Sequence, residues 1–165
     1  MKKVIVIPAR IDSSRLPKKV LLDLKGKTVI QRVYEQCLKV ANIDAVYIAT
    51  DSNEIKEVCN SFTGDVIFTK STHQSGTDRI GEAVALIDCD IVINVQGDEP
   101  FIDPTLIEEL VNSFENSEIS MSSAMSKIDD VNDLQNSNVV KVTVDNQNNA
   151  LYFSRSLIPF PRDHK

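Results

Sequence analysis

The apolar positions of this chain follow two alternating rhythms. Short β-branched runs without strict alternation recur at 3–8 (KVIVIP), 45–50 (AVYIAT), 65–69 (DVIFT) and 90–95 (DIVINV). Such runs predict strands buried on both faces, as in a parallel sheet. Pro8 closes the first run, and its missing N–H predicts that the ladder stops there. Between the runs, apolar residues recur at helical spacing. Val29, Ile30, Val33, Cys37, Val40 and Ala41 predict a helix near 29–41, capped by Thr28. Ile55, Val58 and Cys59 predict a second, capped by Asp51 or Ser52, and Ile80, Ala83, Val84 and Ile87 a third near 78–88. Leu106, Ile107, Leu110, Val111 and Phe114 predict a fourth, with Asp103 as cap and Pro104 as its first residue.

The rhythm is less regular in the last third. Strands are expected at 119–126, 138–144 and 150–155, a short helix at 129–135, and a turn at 145–150. There is no internal repeat, low-complexity tract or linker, so one domain over 1–165 is expected. Strands alternating with helices predict βαβ units and a three-layer α/β fold with a mostly parallel sheet. Ligands of such sheets bind beyond the carboxyl ends of the strands. Arg10, Asp51 and Asp98 all follow predicted strands, so one edge is expected to gather them.

Charge changes this picture more than composition does. Net charge is −6, which argues against nucleic acid as a partner. Residues 1–40 hold ten Lys/Arg against three Asp/Glu, a balance of +7, while the remainder hold eight against twenty-one, a balance of −13. That asymmetry suggests one local anion site on an otherwise acidic chain. Cys37, Cys59 and Cys89 are odd in number, lack CxxC spacing and fall in apolar segments, so they read as reduced, small hydrophobes. No apolar run approaches the roughly 18 residues of a membrane span. Arg10, Asp12 and Arg15 interrupt the first run too early for a signal peptide, so the expected location is the cytoplasm.

The candidate chemistry starts in the stretch after the first strand. Arg10, Arg15 and Lys19, with Ser13 and Ser14 between them, supply the spread donors that a triphosphate requires. Neither GxxxxGK[ST] nor GxGxxG is present, so this is not a Walker A loop or a dinucleotide fingerprint. Asp98 and Glu99 follow another buried strand in a glycine turn. A carboxylate there either holds Mg²⁺ against substrate phosphates or serves the turn around Gly97. His73, Gln74, Ser75, Gly76 and Thr77 precede a helix. They either read a base edge or bind an anion, or Thr77 or Asp78 simply caps the helix. Arg155 ends an aromatic strand, placed to clamp a carboxylate or to form a surface ion pair. No covalent nucleophile with an adjacent base is visible, which leaves electrostatic positioning as the chemistry on offer.

Five stretches in order, IPARIDSSRLPKK at 7–19, ATD at 49–51, HQSGTDR at 73–79, NVQGDEP at 94–100 and ALYFSRSLIPFPRD at 150–163, resemble the 3-deoxy-D-manno-octulosonate (Kdo) cytidylyltransferases, or CMP-Kdo synthetases. The resemblance implies a nucleotide-diphospho-sugar transferase (glycosyltransferase-A-like) fold and the reaction CTP + Kdo → CMP-Kdo + diphosphate, with Mg²⁺, for lipopolysaccharide or surface-polysaccharide synthesis. It implies that Pro8, Ala9, Arg10, Arg15 and Lys19 lie along the nucleotide with the cations on its phosphates. Gln74, Ser75, Gly76 and Gln96 would lie near the nucleoside, Asp98 would be a metal ligand, and Arg155 would bind the sugar acid. Arg10, Arg15, Lys19 and Asp98 would form the catalytic set. Two departures stand out. Lys18 occupies a position where members often have glycine, and the family continues past a point equivalent to Lys165. That further segment carries an HIGLY-like stretch, a second metal carboxylate, more sugar contacts and much of a homodimer interface. The chain is therefore expected to be a C-terminally shortened nucleotidyltransferase domain. Two alternatives are a nucleotide-binding fragment without turnover and activation of a related acidic sugar, sialic-acid-like or 8-amino.

Overall fold

The first apolar run becomes the middle of a sheet. In the computed structural model, which describes residues 1–11, 16–160 and 162, β1 (Lys3–Ala9) is buried at every position from Val4 onward. It pairs in parallel with β2 (Ala45–Thr50) on one side and with β4 (Ile91–Asn94) on the other; β3 (Val66–Phe68) adds to the far side of β2. The spatial order is β3-β2-β1-β4. The chain thus runs outward from β1, then returns to the opposite side of it. Such a reversal leaves a crevice at the carboxyl ends of the two strands it separates.

The pleat of β1 assigns its neighbours. Val6 O accepts from Val95 N at 3.3 Å and Lys2 O from Ile91 N at 3.0 Å, whereas Lys3 O accepts from Asp44 N at 2.8 Å. Even-numbered residues therefore bond toward β4 and odd-numbered ones toward β2. Pro8 is even, and the β4 ladder has already ended at Val6↔Asn94. Its missing N–H removes nothing from the β2 ladder, which continues to Ala9↔Thr50. The expectation that the ladder stops at Pro8 is corrected: the β2 ladder runs one residue past it, and the β4 ladder ends before it.

Helices cover both faces. Ile5, Ile7 and Ala9 point into a core shared with α1 (Val29–Cys37), α2 (Asn53–Cys59) and α4 (Pro104–Ser113). Val4 and Val6 point the other way, onto Ile80 and Ala83 of α3 (Gly76–Val84). This is the expected three-layer α/β arrangement. Caps define the helix starts: Thr28, Ser52 and Asp103 accept from Gln31 N, Ile55 N and Thr105 N. The helix expected to run to residue 41 stops at Cys37, and residues 38–40 continue as turns.

Contacts divide the chain into two compact units, Met1–Ser122 and Ser123–Lys165. In the second, α5 (Val131–Gln135) precedes an antiparallel hairpin of β5 (Lys141–Val144) and β6 (Ala150–Ser154). Lys141 is 3% exposed, and its ammonium donates to the carbonyls of Asn136, Val139 and Arg155. The strand expected over 119–126 is absent. Its residues find no strand partner among those described, and Met121 and Met125 lie exposed.

Cys37 and Cys59 are fully buried core residues, and burial pushes both thiols up to about 12. A thiol reagent at pH 8 should leave both unmodified in the folded chain and reach both after unfolding, because the thiolate is the reactive form. Rapid native labelling of either would contradict this placement. No helix among the described residues is long and apolar enough to cross a membrane.

Candidate functional site

Three loops leave the carboxyl ends of β1, β3 and β4 and enclose a cleft of about 510 Å³. The first begins at Arg10, which is exposed and lines the cleft beside Pro8 and Ala9. Lys18 N donates to Ile11 O at 3.1 Å and so closes this loop. Lys18 is left-handed, with φ 56° and ψ 26°. A glycine reaches that conformation without a Cβ penalty, whereas a lysine bears one. Here the lysine side chain is tied to Glu54 of α2, at 2.7 and 2.8 Å. Arg15, with Asp12, Ser13 and Ser14, lies outside the described residues.

A single 3₁₀ turn, Lys19–Leu21, then brings Lys19 back to the cleft. Its Nζ lies 2.7 Å from Oδ2 of Asp98, and the two side chains are 41% and 45% exposed. Asp98 arrives on the loop after β4. That loop passes so close to the end of β1 that a Cβ on Gly97 would sit 2.9 Å from Pro8 O and 3.1 Å from Ile30 Cδ1. Glycine is required there by the approach of backbone to backbone.

The third wall is the start of α3. Ser75, not Thr77 or Asp78, is the cap: its Oγ accepts from Asp78 N, and the Asp78 carboxylate accepts from Ser75 N. This capping box holds Gly76 so near β1 that its Cβ would lie 3.3 Å from Pro8 Cγ and 3.6 Å from Gln96 Oε1. Gln96 donates to Asn94 Oδ1 at 2.9 Å. His73 also lines the cleft and bonds Glu82, which accepts from Lys70 N as well. The His73 bond first, then the Lys70 amide, lowers the Glu82 carboxyl from its ordinary range. That pair holds the loop onto α3.

Of the residues singled out in the sequence, Pro8, Ala9, Arg10, Lys19, Ser75, Gly76, Gln96 and Asp98 line this one cleft. Gln74 does not; it is exposed, with its amide 3.4 Å from Thr72 O. Asp51 is engaged by Arg79 at 3.0 Å. Arg155 belongs to the second unit, where its Nη1 donates to Ser137 O at 2.8 Å. The sequence reading missed Leu16, Val20 and Arg79, all of which line the cleft. Arg79 was detectable: it stands four residues before Ala83 on the apolar stripe of α3, and a charge on a buried face demands a partner.

Loss of surrounding water holds the Glu99 carboxyl above the ordinary glutamate range; neighbouring Asp98 adds to this and Lys19 opposes it. A raised carboxyl favours folding at low pH and loses that contribution as pH rises through the carboxylate range. Glu99→Gln should therefore raise Tm at neutral pH, with the gain vanishing below about pH 4. A gain equal at both pH values would contradict the cause assigned.

A family model described as cytidylyltransferase matches residues 4–165. The chain belongs to that family. A 3-deoxy-manno-octulosonate cytidylyltransferase of Francisella tularensis subsp. novicida is 52% identical over 162 residues, 96% of this chain and 64% of the relative. An 8-amino-3,8-dideoxy-manno-octulosonate cytidylyltransferase of Shewanella frigidimarina is 46% identical, over 99% of this chain and 69% of its own length. Among solved structures, a CMP:2-keto-3-deoxy-manno-octonic acid synthetase complexed with CTP superposes with a TM-score of 0.87 at 43% identity, covering 99% of this chain and 68% of that one. The architecture is the nucleotide-diphospho-sugar transferase fold of these nucleotidyltransferases. The chain spans about 64% of the length of the Francisella relatives.

Proposed function

We propose that this chain carries the nucleotide site of an enzyme that transfers CMP from CTP to Kdo and releases diphosphate. The observation that carries the reading is the cleft at the β1/β4 switch point, which Arg10, Lys19 and Asp98 line and where Lys19 pairs with Asp98. Family membership and the likeness to a synthetase complexed with CTP support it. In this reading the sugar's 2-hydroxyl oxygen bonds to the α-phosphorus and gives up its proton to solvent, while the bond from that phosphorus to the bridging oxygen of diphosphate breaks and diphosphate leaves with the electron pair. Arg10, Arg15 and Lys19 bind the phosphates and neutralise charge as it develops on the departing diphosphate. Pro8, Ala9, Gln74, Ser75, Gly76 and Gln96 shape the nucleoside side, and Arg155 takes the sugar carboxylate. The location proposed is the cytoplasm.

Magnesium fits this donor set. No group of three or more His, Cys, Asp or Glu residues is gathered for a metal among the described residues. Mg²⁺ needs only one or two protein carboxylates when phosphate oxygens and water complete its shell. Asp98, half exposed and facing the cleft, would hold it. When bound, the ion supplies charge neutralisation at the phosphate oxygens.

Diphosphate release should require CTP, Kdo and Mg²⁺ together. Absence of both diphosphate release and CTP binding would overturn the reading. CTP binding without release would instead favour a nucleotide-binding unit that does not turn over. The Shewanella relative motivates a second substrate, the 8-amino sugar. Comparing kcat/KM for the two sugars decides between them.

A further inference from the structure

Arg79 is 3% exposed, yet it belongs to the cleft wall. Its Nη2 lies 3.0 Å from Asp51 Oδ2, and its Nη1 donates to Thr69 Oγ1 at 2.5 Å. Asp51 directly follows β2, and Thr69 directly follows β3. Thr69 N also donates to Thr50 O at 2.9 Å. One planar fork therefore joins two strand ends to α3. On its own helix, Arg79 N donates to Ser75 O at 3.3 Å, so the anchor sits one turn from Ser75 and Gly76. Those two residues meet the cleft, and Gly76 packs against Pro8.

We propose that Arg79 is a positioning residue: clamped by Asp51 and Thr69, it fixes the first turn of α3 so that Ser75 and Gly76 hold the wall of the nucleotide cleft. Asp51 neutralises its charge, so it is not a further phosphate cation. The fork geometry is what matters, because a lysine ammonium on a flexible stem cannot hold both partners in one plane. The ligand in this statement rests on the cytidine-nucleotide reading; the anchoring does not.

The test uses Arg79→Lys, Asp51→Asn and Thr69→Val in the full chain, at a temperature where wild type is fully folded. Amide hydrogen exchange over residues 70–80 should rise about tenfold in Arg79→Lys and Asp51→Asn, with the amides of β1 unchanged, as local opening requires. The double variant should be no worse than the worse single, since both remove one interaction. CTP Kd should rise about tenfold in the same folded variants, a readout that loss of global stability alone does not move. Exchange over 70–80 within twofold of wild type in both variants would overturn the proposal. If both variants open globally, Thr69→Val decides: a local rise of a few-fold supports the clamp, and no change contradicts it. If wild type binds no CTP, the nucleotide reading fails, and exchange alone still decides the anchoring.

Discussion

Lys19→Met is expected to weaken CTP binding about 10- to 100-fold, because a charge-assisted hydrogen bond to phosphate contributes roughly 1.5–3 kcal/mol. The fold should barely notice. Both side chains of the Lys19–Asp98 pair are more than a third exposed, and an ion pair so exposed contributes about 1 kcal/mol at most. The pair also predicts an asymmetry. With Lys19 held 2.7 Å from Asp98, a triphosphate arriving alone must take the lysine from the carboxylate and meet that carboxylate's charge. Asp98→Asn should therefore bind CTP more tightly than wild type when Mg²⁺ is removed with chelator, and less tightly when Mg²⁺ is present. Calorimetric titration in the two buffers reads both signs. The same sign in both would remove Asp98 as the metal's ligand.

Gly97→Ala should lower stability by about 2 kcal/mol, since the new Cβ meets a backbone carbonyl rather than a movable side-chain tip. For a chain of this size that is a fall in Tm of roughly 4–8 °C. Pro8 O, 2.9 Å from that Cβ, belongs to the strand buried in the middle of the sheet, and Ile30 closes the other side at 3.1 Å. Relief must come from moving the β4 loop away from β1, which carries Asp98 away from Lys19. Lost CTP affinity should therefore accompany the lost stability. Gly64, whose added Cβ meets nothing within 4 Å, is the control: Gly64→Ala should change neither. Equal Tm values for the two variants would contradict the close approach.

The layers were legible because each buried strand announces itself. Val4, Ile5, Val6 and Ile7 are all fully buried, and only a central strand covered on both faces tolerates such a run. The caps at Thr28 and Asp103 were legible for the same local reason: one side chain decides them. Ser75 was less so, because Thr77 and Asp78 offer competing oxygens, and only the reciprocal bond with Asp78 selects the first. The site was readable as a set of residues after strand ends, and β1, β3 and β4 do bring most of them to one cleft. What periodicity could not show is pairing across long separations. Asp51 pairs with Arg79 and not with Arg10 or Lys19, and Lys18 bonds Glu54, because packing of α3 and α2 decides those contacts. The weak pattern after residue 115 yields no strand over 119–126 among the described residues, while β5 and β6 pair with each other.

If CTP occupies the cleft between the carboxyl ends of β1 and β4, as proposed, the amides that line the cleft must respond to it. Backbone amide NMR of the whole chain during a CTP titration with Mg²⁺ tests it most directly. Saturable shifts at the amides of Ala9, Arg10, Lys19, Ser75, Gly76, Gln96, Gly97 and Asp98, all of which line the cleft, are the predicted result. Saturation without shifts at Arg10, Lys19 and Asp98 would contradict the account.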